Sequence, residues 1–389
     1  MERAQPKPRR RDGVAVFLLG AGTAFGAGNV SPVVPEIAAD FDLSLTGVGL
    51  ISGTIFYAGV VIGLAFAPKI AERIGGVPAL RLACLLAGIG SLIFALAPGV
   101  AILAIGRLVA AFGLGIAPAI GPVFARETGG MARVGVFGAS FQFGIGAGLV
   151  VGSLLADVGA DWRVGFVVSA LAGFSALPLL RSTEAKLELS RRAGGFLRLA
   201  VRTPRVYRLG MLFVAMFSIP LLLGAWLVHY LSVNGELSVS VAGILSFVMF
   251  GASALLRIAG ADLAARGTSP LVLRAFAPLL ATLGVALIAF DTSFVPSLIA
   301  VVAMAAGFAL PYAVMIVSAQ RLYPEEPAEP VSLLSAIGSA LPIALIPLFG
   351  AALSEGHGEE ALIGIAAFIA LCGLVNLKPA SRPLREAPE

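Results

Sequence analysis

The chain has 389 residues, of which 58% are hydrophobic and 13% charged, with a mean hydropathy of +0.97. Soluble domains carry about 25% charged residues, so this much apolar surface cannot all be buried in water and a soluble fold is excluded. The net charge of +5 does not signal a nucleic-acid partner, because the basic residues lie in short segments between apolar stretches.

A helix needs about 20 mostly apolar residues to cross the hydrocarbon of a bilayer. Reading for that length predicts twelve spans, near 14–36, 46–67, 78–97, 100–122, 134–156, 163–180, 209–231, 241–261, 270–290, 295–318, 331–353 and 360–377. The first apolar run follows a basic start and is longer than a signal peptide's core, so it is read as an uncleaved span. These spans divide the chain into an N-terminal tail (1–13), a six-helix bundle (14–180), a basic linker (181–208), a second six-helix bundle (209–377) and a C-terminal tail (378–389).

The Lys/Arg distribution orients the spans. Both tails, the linker and the segments bearing Lys69, Arg73, Arg81, Arg126, Arg133, Arg266, Arg274 and Arg321 fall on one side. Of 27 basic residues only Arg163 falls on the other, while Arg107 and Arg257 lie within spans. The positive-inside rule places that basic side, with both termini, in the cytoplasm. The linker's charges suit attachment to anionic lipid, at about 1 kcal/mol per basic residue.

The halves repeat. The stretch from Asp42 to Ser52 matches Glu236 to Ser246, and Gly152 to Asp157 matches Gly350 to Glu355, at nearly equal offsets. Six spans preserve orientation, which makes this a parallel duplication with a pseudo-two-fold axis along the membrane normal.

Motifs then carry a resemblance. The loop Pro68-Lys69-Ile70-Ala71-Glu72-Arg73-Ile74-Gly75-Gly76 resembles the Gly-x-Leu-Ala-Asp-Arg-x-Gly-Arg motif of the major facilitator superfamily (MFS) of secondary transporters. The loop after span eight keeps Gly260 and Gly267 but has Ala264 and Ala265 at the acid and the arginine. Gly106-Arg107-Leu108 is similar to that family's span-four motif, and Asp161-Trp162-Arg163-Val164-Gly165-Phe166 to its entry into span six. The resemblance implies an all-α integral membrane protein with two six-helix bundles and both termini cytoplasmic. It further implies that Lys69, Glu72, Arg73, Gly75, Gly260 and Gly267 form a conformational latch; alone, Lys69, Glu72 and Arg73 also read as a solvated turn.

Arg107 and Arg257 are costly, at about 2.5–3.5 kcal/mol for a mid-span arginine, and such residues face the protein interior. Either they bind a substrate or they brace helices by donating to backbone carbonyls. Arg257-Ile258-Ala259-Gly260 resembles an Arg-x-x-Gly pattern of anion carriers within the superfamily, and also the drug and sugar exporters that carry a similar arginine before the second loop motif. Asn29, Gln142, Trp226 and Tyr312 are further candidate substrate contacts, each also compatible with packing, and Trp162 suits an interfacial anchor. Gly144, Gly148 and Gly152, spaced by four, mark a close helix contact.

No acid lies well inside a span, which disfavours proton coupling through an intramembrane carboxylate, and His229 near a span end reads as a surface residue. The sequence has no Gly-x-x-x-x-Gly-Lys-Ser/Thr phosphate loop, no metal-ligand spacing and no cluster for an enzyme. The expectation is a monomeric, cofactor-free permease of the bacterial inner membrane that moves a small solute, with a possible coupling ion, by alternating access. A small inorganic or organic anion is the first substrate class, efflux of drugs or metabolites the alternative, and a non-transporting sensor the remote one.

Overall fold

The structure is a computed structural model that describes residues 10–180, 204–235, 237–321 and 328–377. The tail expected over 1–13 is described only from Arg10, the linker only from Pro204, and the repeat residue Glu236 and the C-terminal tail from Lys378 lie outside the described residues.

Among the described residues, eleven helices are long and apolar enough to cross a membrane: α1 (Arg10–Phe41), α2 (Leu45–Ile74), α3 (Gly76–Ala95), α4 (Val100–Gly129), α5 (Arg133–Asp157), α7 (Val206–Asn234), α8 (Val239–Ala264), α9 (Leu271–Phe290), α10 (Phe294–Ala319), α11 (Ala336–Ser354) and α12 (Gly358–Val375). The remaining predicted span, α6, is a shorter apolar helix over Trp162–Phe174. Past Phe174 the chain continues in tight turns to Leu180, so the helix expected over 163–180 stops early. No strand occurs among the described residues. Large apolar side chains such as Leu255, 71% exposed, and Phe290, 71% exposed, cover the outside; a surface of this kind is stable against lipid tails, not water.

The helices depart from ideal spans in ways the sequence explains. In α1, regular helix ends at Gly28 and resumes at Val34 after a 3₁₀ turn over Ser31–Val33, where Pro32 and Pro35 withhold helical N–H donors. The backbone stays helical from Val100 to Asp157, yet Gly121 on α4 faces the Phe137 ring on α5. In one straight rod those residues would stand about 24 Å apart, so the chain folds back near Gly129. Helix α11 breaks at Leu341, where the helical segment Ala328–Ala340 that leads into it gives way to Pro342–Ser354.

Side-chain bonds define two faces. Arg11 donates to the Pro178 carbonyl at 2.9 Å and Asn376 to the Arg208 carbonyl at 3.0 Å, so each six-helix half starts and ends on the same side, here the tail face. On the opposite, distal face, the Trp162 indole N–H donates to Asp40 at 2.8 Å and Arg163 pairs with Asp40 at 2.9 Å. Trp162 is nonetheless buried, 5% exposed, among Phe41, Phe94 and Phe166. It closes an aromatic cluster between α1, α3 and α6 and is no interfacial anchor.

The two bundles meet mainly toward the distal face. Gly49 and Gly53 of α2 bring that helix onto Ile346 and Pro347 of α11, and Gly243 of α8 sits on Leu149 and Ser153 of α5. Nearer the middle, Phe143 of α5 stacks edge-on with Phe247 of α8 at 5.7 Å. Toward the tail face, a Cβ added at Gly135 or Gly138 of α5 would meet nothing within 4 Å.

Candidate functional site

Burial of a guanidinium is tolerable only when its donors find acceptors or its charge a counter-ion. The two intramembrane arginines meet that requirement differently. Arg107 of α4 is 3% exposed and donates to the Gly26 carbonyl of α1 at 2.6 Å. Its guanidinium lies 3.9 Å from the centre of the Phe56 ring and 5.8 Å from that of Phe94. Gly26 precedes the break in α1 by a few residues, so Arg107 ties α4 to the segment where α1 bends.

Arg257 of α8 stacks 4.3 Å from the centre of the Tyr312 ring on α10. Tyr312 opens a fresh helical segment after α10 breaks at Leu310 and Pro311, and that break aims the ring at α8. Among the described residues Arg257 has no ion pair and no hydrogen bond, and its Nε is buried without a partner. A cation–π contact offsets part of such a charge, by about 0.5–2 kcal/mol, and leaves the guanidinium fork free for a ligand.

The other candidates fall into distinct places. Asn29, 1% exposed, donates to the Gly165 carbonyl at 2.7 Å and to the Ser169 hydroxyl at 2.8 Å, bridging the α1 break to α6 while its Oδ1 stays unpartnered. The Trp226 indole N–H donates to the Ile346 carbonyl at 3.0 Å, and Trp226 is 1% exposed between α7 and α11. Gln142 is buried, 8% exposed, on α5. Gly144 and Gly148 bring α5 against Ala21 and Phe25 of α1, and Gly152 against Pro32.

The stretch expected as a loop from Pro68 is helical to Ile74, so Lys69, Glu72 and Arg73 lie in the last turns of α2; all three are exposed, and no ion pair joins Glu72 or Arg73 to another described residue. Gly75 follows α2 with φ of 93° and Gly267 follows α8 with φ of 90°, a conformation that glycine adopts without penalty. Gly260 lets α8 approach the Leu310 carbonyl of α10. His229 is no surface residue: it is 9% exposed, packs edge-on against Trp226, and has a buried, unpartnered Nδ1. It borders a cavity of about 360 Å³ at the distal face, with Tyr230, Asn234, Thr292 and Glu359. No group of three or more His, Cys, Asp or Glu among the described residues could hold a metal ion.

Thr54 and Ser218 carry little signal in the sequence, yet both donate to carbonyls of α11: Thr54 to Ile343 at 2.7 Å and Ser218 to Gly338 at 2.6 Å. The available clue is the proline four residues after each carbonyl, which removes the helical donor.

Eleven membrane-length helices in two halves, with arginines enclosed among them, define a multi-pass membrane protein. The Major Facilitator Superfamily profile matches residues 16–347, and the chain belongs to that family. Among curated relatives, the sugar transporter ERD6-like 15 of Arabidopsis thaliana is 29% identical over 171 residues, 43% of this chain and 35% of that protein. The D-xylose-proton symporter-like 2 of the same plant is 34% identical over 133 residues, 33% of this chain and 26% of that protein. The matched stretches thus span about a third of those relatives or less. Among solved structures, a D-xylose-proton symporter superposes with a TM-score of 0.75 at 16% identity, covering 94% of this chain and 96% of that one. The inward-facing, unoccupied form of a bacterial homologue of the human lysosomal transporter Spinster gives 0.71 at 18% identity, covering 94% and 95%. At such identity these likenesses establish the fold.

Proposed function

We propose that this transporter moves a small anion by alternating access, with Arg257 receiving the negative group. The observation that carries the reading is the free guanidinium of Arg257 over Tyr312. A cation inside a span without a carboxylate partner is expensive, and an anionic solute supplies the missing counter-charge. The Nε of Arg107 is also buried without a partner, but its Nη1 donates to Gly26 and its plane lies over Phe56, so it serves as a brace. The tail face, which carries Lys69, Arg73, Arg126 and Arg133, is taken as cytoplasmic by the positive-inside rule, in the inner membrane of a bacterium. Lys69, Glu72 and Arg73 would then form their latch when the bundles close on that side.

The xylose-proton symporters among the similar proteins raise a sugar as the second reading. A sugar demands many free side-chain donors and acceptors, whereas the donors of Asn29 and Trp226 are already given to protein partners. The test is thermal unfolding of the purified protein against panels of small anions, sugars and lipophilic cations. A ligand at 100 times its dissociation constant adds about 2.7 kcal/mol. Stabilisation by an anion class that disappears in Arg257→Ala supports the reading; stabilisation by sugars or lipophilic cations that survives in Arg257→Ala overturns it.

A further inference from the structure

Helix α11 contains two prolines past its break, Pro342 and Pro347. Each lacks the N–H that would bond the carbonyl four residues earlier, which strips Gly338 and Ile343 of their helical donors. In hydrocarbon a bare carbonyl is costly. Both are satisfied by hydroxyls: Ser218 on Gly338 at 2.6 Å and Thr54 on Ile343 at 2.7 Å.

The two donors share a second feature. Thr54 lies in a π-helical segment of α2 over Leu50–Ile55, and Ser218 ends a π-helical segment of α7 over Val214–Ser218. A π segment widens the helical turn and re-aims its side chains, and such segments concentrate at functional places. The donors differ in what they join. Ser218 and Gly338 belong to the same bundle, so their bond travels with α11. Thr54 belongs to the first bundle and Ile343 to the second, so their bond spans the contact that closes the distal face, beside the seating of Gly49 and Gly53 on Pro347 and Ile346.

We propose that Thr54 is the residue that holds the distal-closed state of the transport cycle, by capping across the two bundles the Ile343 carbonyl that Pro347 leaves bare. The proposal rests on alternating access and not on the identity of the solute. Opening the distal face separates α2 from α11 and breaks this bond, while the Ser218 bond persists. Water entering the opened cleft replaces part of what is lost, so the bond biases the equilibrium without freezing it.

The experiment measures distances between spin labels on the full chain in lipid nanodiscs. Labels are placed at Ala39→Cys and Glu355→Cys, both exposed at the distal face, with Cys84→Ala and Cys372→Ala as background. Thr54→Val raises the ratio of long to short distances roughly fivefold, the scale of one net hydrogen bond, and Thr54→Ser keeps the original ratio. Ser218→Ala lowers the melting temperature but leaves the ratio unchanged. Pro347→Ala restores an N–H to the Ile343 carbonyl, so adding Thr54→Val to it changes nothing further. An unchanged ratio in Thr54→Val, or an equal rise in Ser218→Ala, overturns the proposal in a chain that samples both distances. One invariant distance in every variant overturns alternating access itself, and the proposal with it.

Discussion

Ser44 and Ser238 carry the same helix cap in the two halves of the molecule. Ser44 accepts from the Gly47 N–H at 3.1 Å at the start of α2, and Ser238 accepts from the Val241 N–H at 3.3 Å at the start of α8. Both hold an extended backbone, with φ/ψ of −69°/163° and −60°/151°. The same pair of helices ends alike, in Gly75 and Gly267 with φ of 93° and 90°. Entry cap, helix and exit glycine are thus alike in the two halves, in keeping with the repeat read in the sequence. Ser44→Ala and Ser238→Ala are each expected to cost about 1 kcal/mol, read as similar falls in melting temperature; a fall at only one would separate the two caps.

At Gly267 the cost of a side chain is purely conformational, since a Cβ there meets nothing within 4 Å. Gly267→Ala should destabilise by about 1 kcal/mol through the left-handed backbone alone. Gly99→Ala, also in open space but with φ of −170°, should be neutral or stabilising. Comparing the two melting curves isolates backbone strain from packing.

Arg107→Ala removes a charge-assisted bond to Gly26 and the stack on Phe56. Charged hydrogen bonds contribute about 1.5–3 kcal/mol, so a clear loss of thermal stability is expected, with ligand affinity nearly unchanged in the protein that still folds. Isothermal titration with a ligand found by the thermal screen checks this; a loss of affinity larger than the loss of stability would move Arg107 into the binding site.

Arg257→Lys keeps the charge over Tyr312 and loses the planar fork. Affinity for an anion should fall by about tenfold in Lys and below detection in Ala, because half of a bidentate contact is worth about 1.5 kcal/mol. Tyr312→Phe preserves the ring and should bind nearly as the original chain does. Equal transport by Arg257→Ala and the unaltered protein would end the anion reading.

Much of this architecture is written along one dimension. Span length, the asymmetry of Lys and Arg, and the matched stretches at Asp42 and Gly152 need no knowledge of neighbours, because the bilayer itself supplies the second solvent against which each segment is read. The membrane-protein class and the duplicated plan follow from them, and the motifs at Pro68–Gly76, Gly106–Leu108 and Asp161–Phe166 add the resemblance to the family.

What each polar group does was decided only by the tertiary structure. In sequence, Arg107 and Arg257 are both mid-span charges that read either as ligand contacts or as braces; compensation comes from residues far away in the chain, and only packing reveals that Gly26 and Phe56 meet one while Tyr312 meets the other. His229 and Trp162, which by position belong at the surface, are enclosed by residues from other helices. Thr54 is an ordinary threonine until the fold brings it to a carbonyl left bare by Pro347. The cost of burying a polar group is local to the sequence, but the partner that offsets it is a property of the fold.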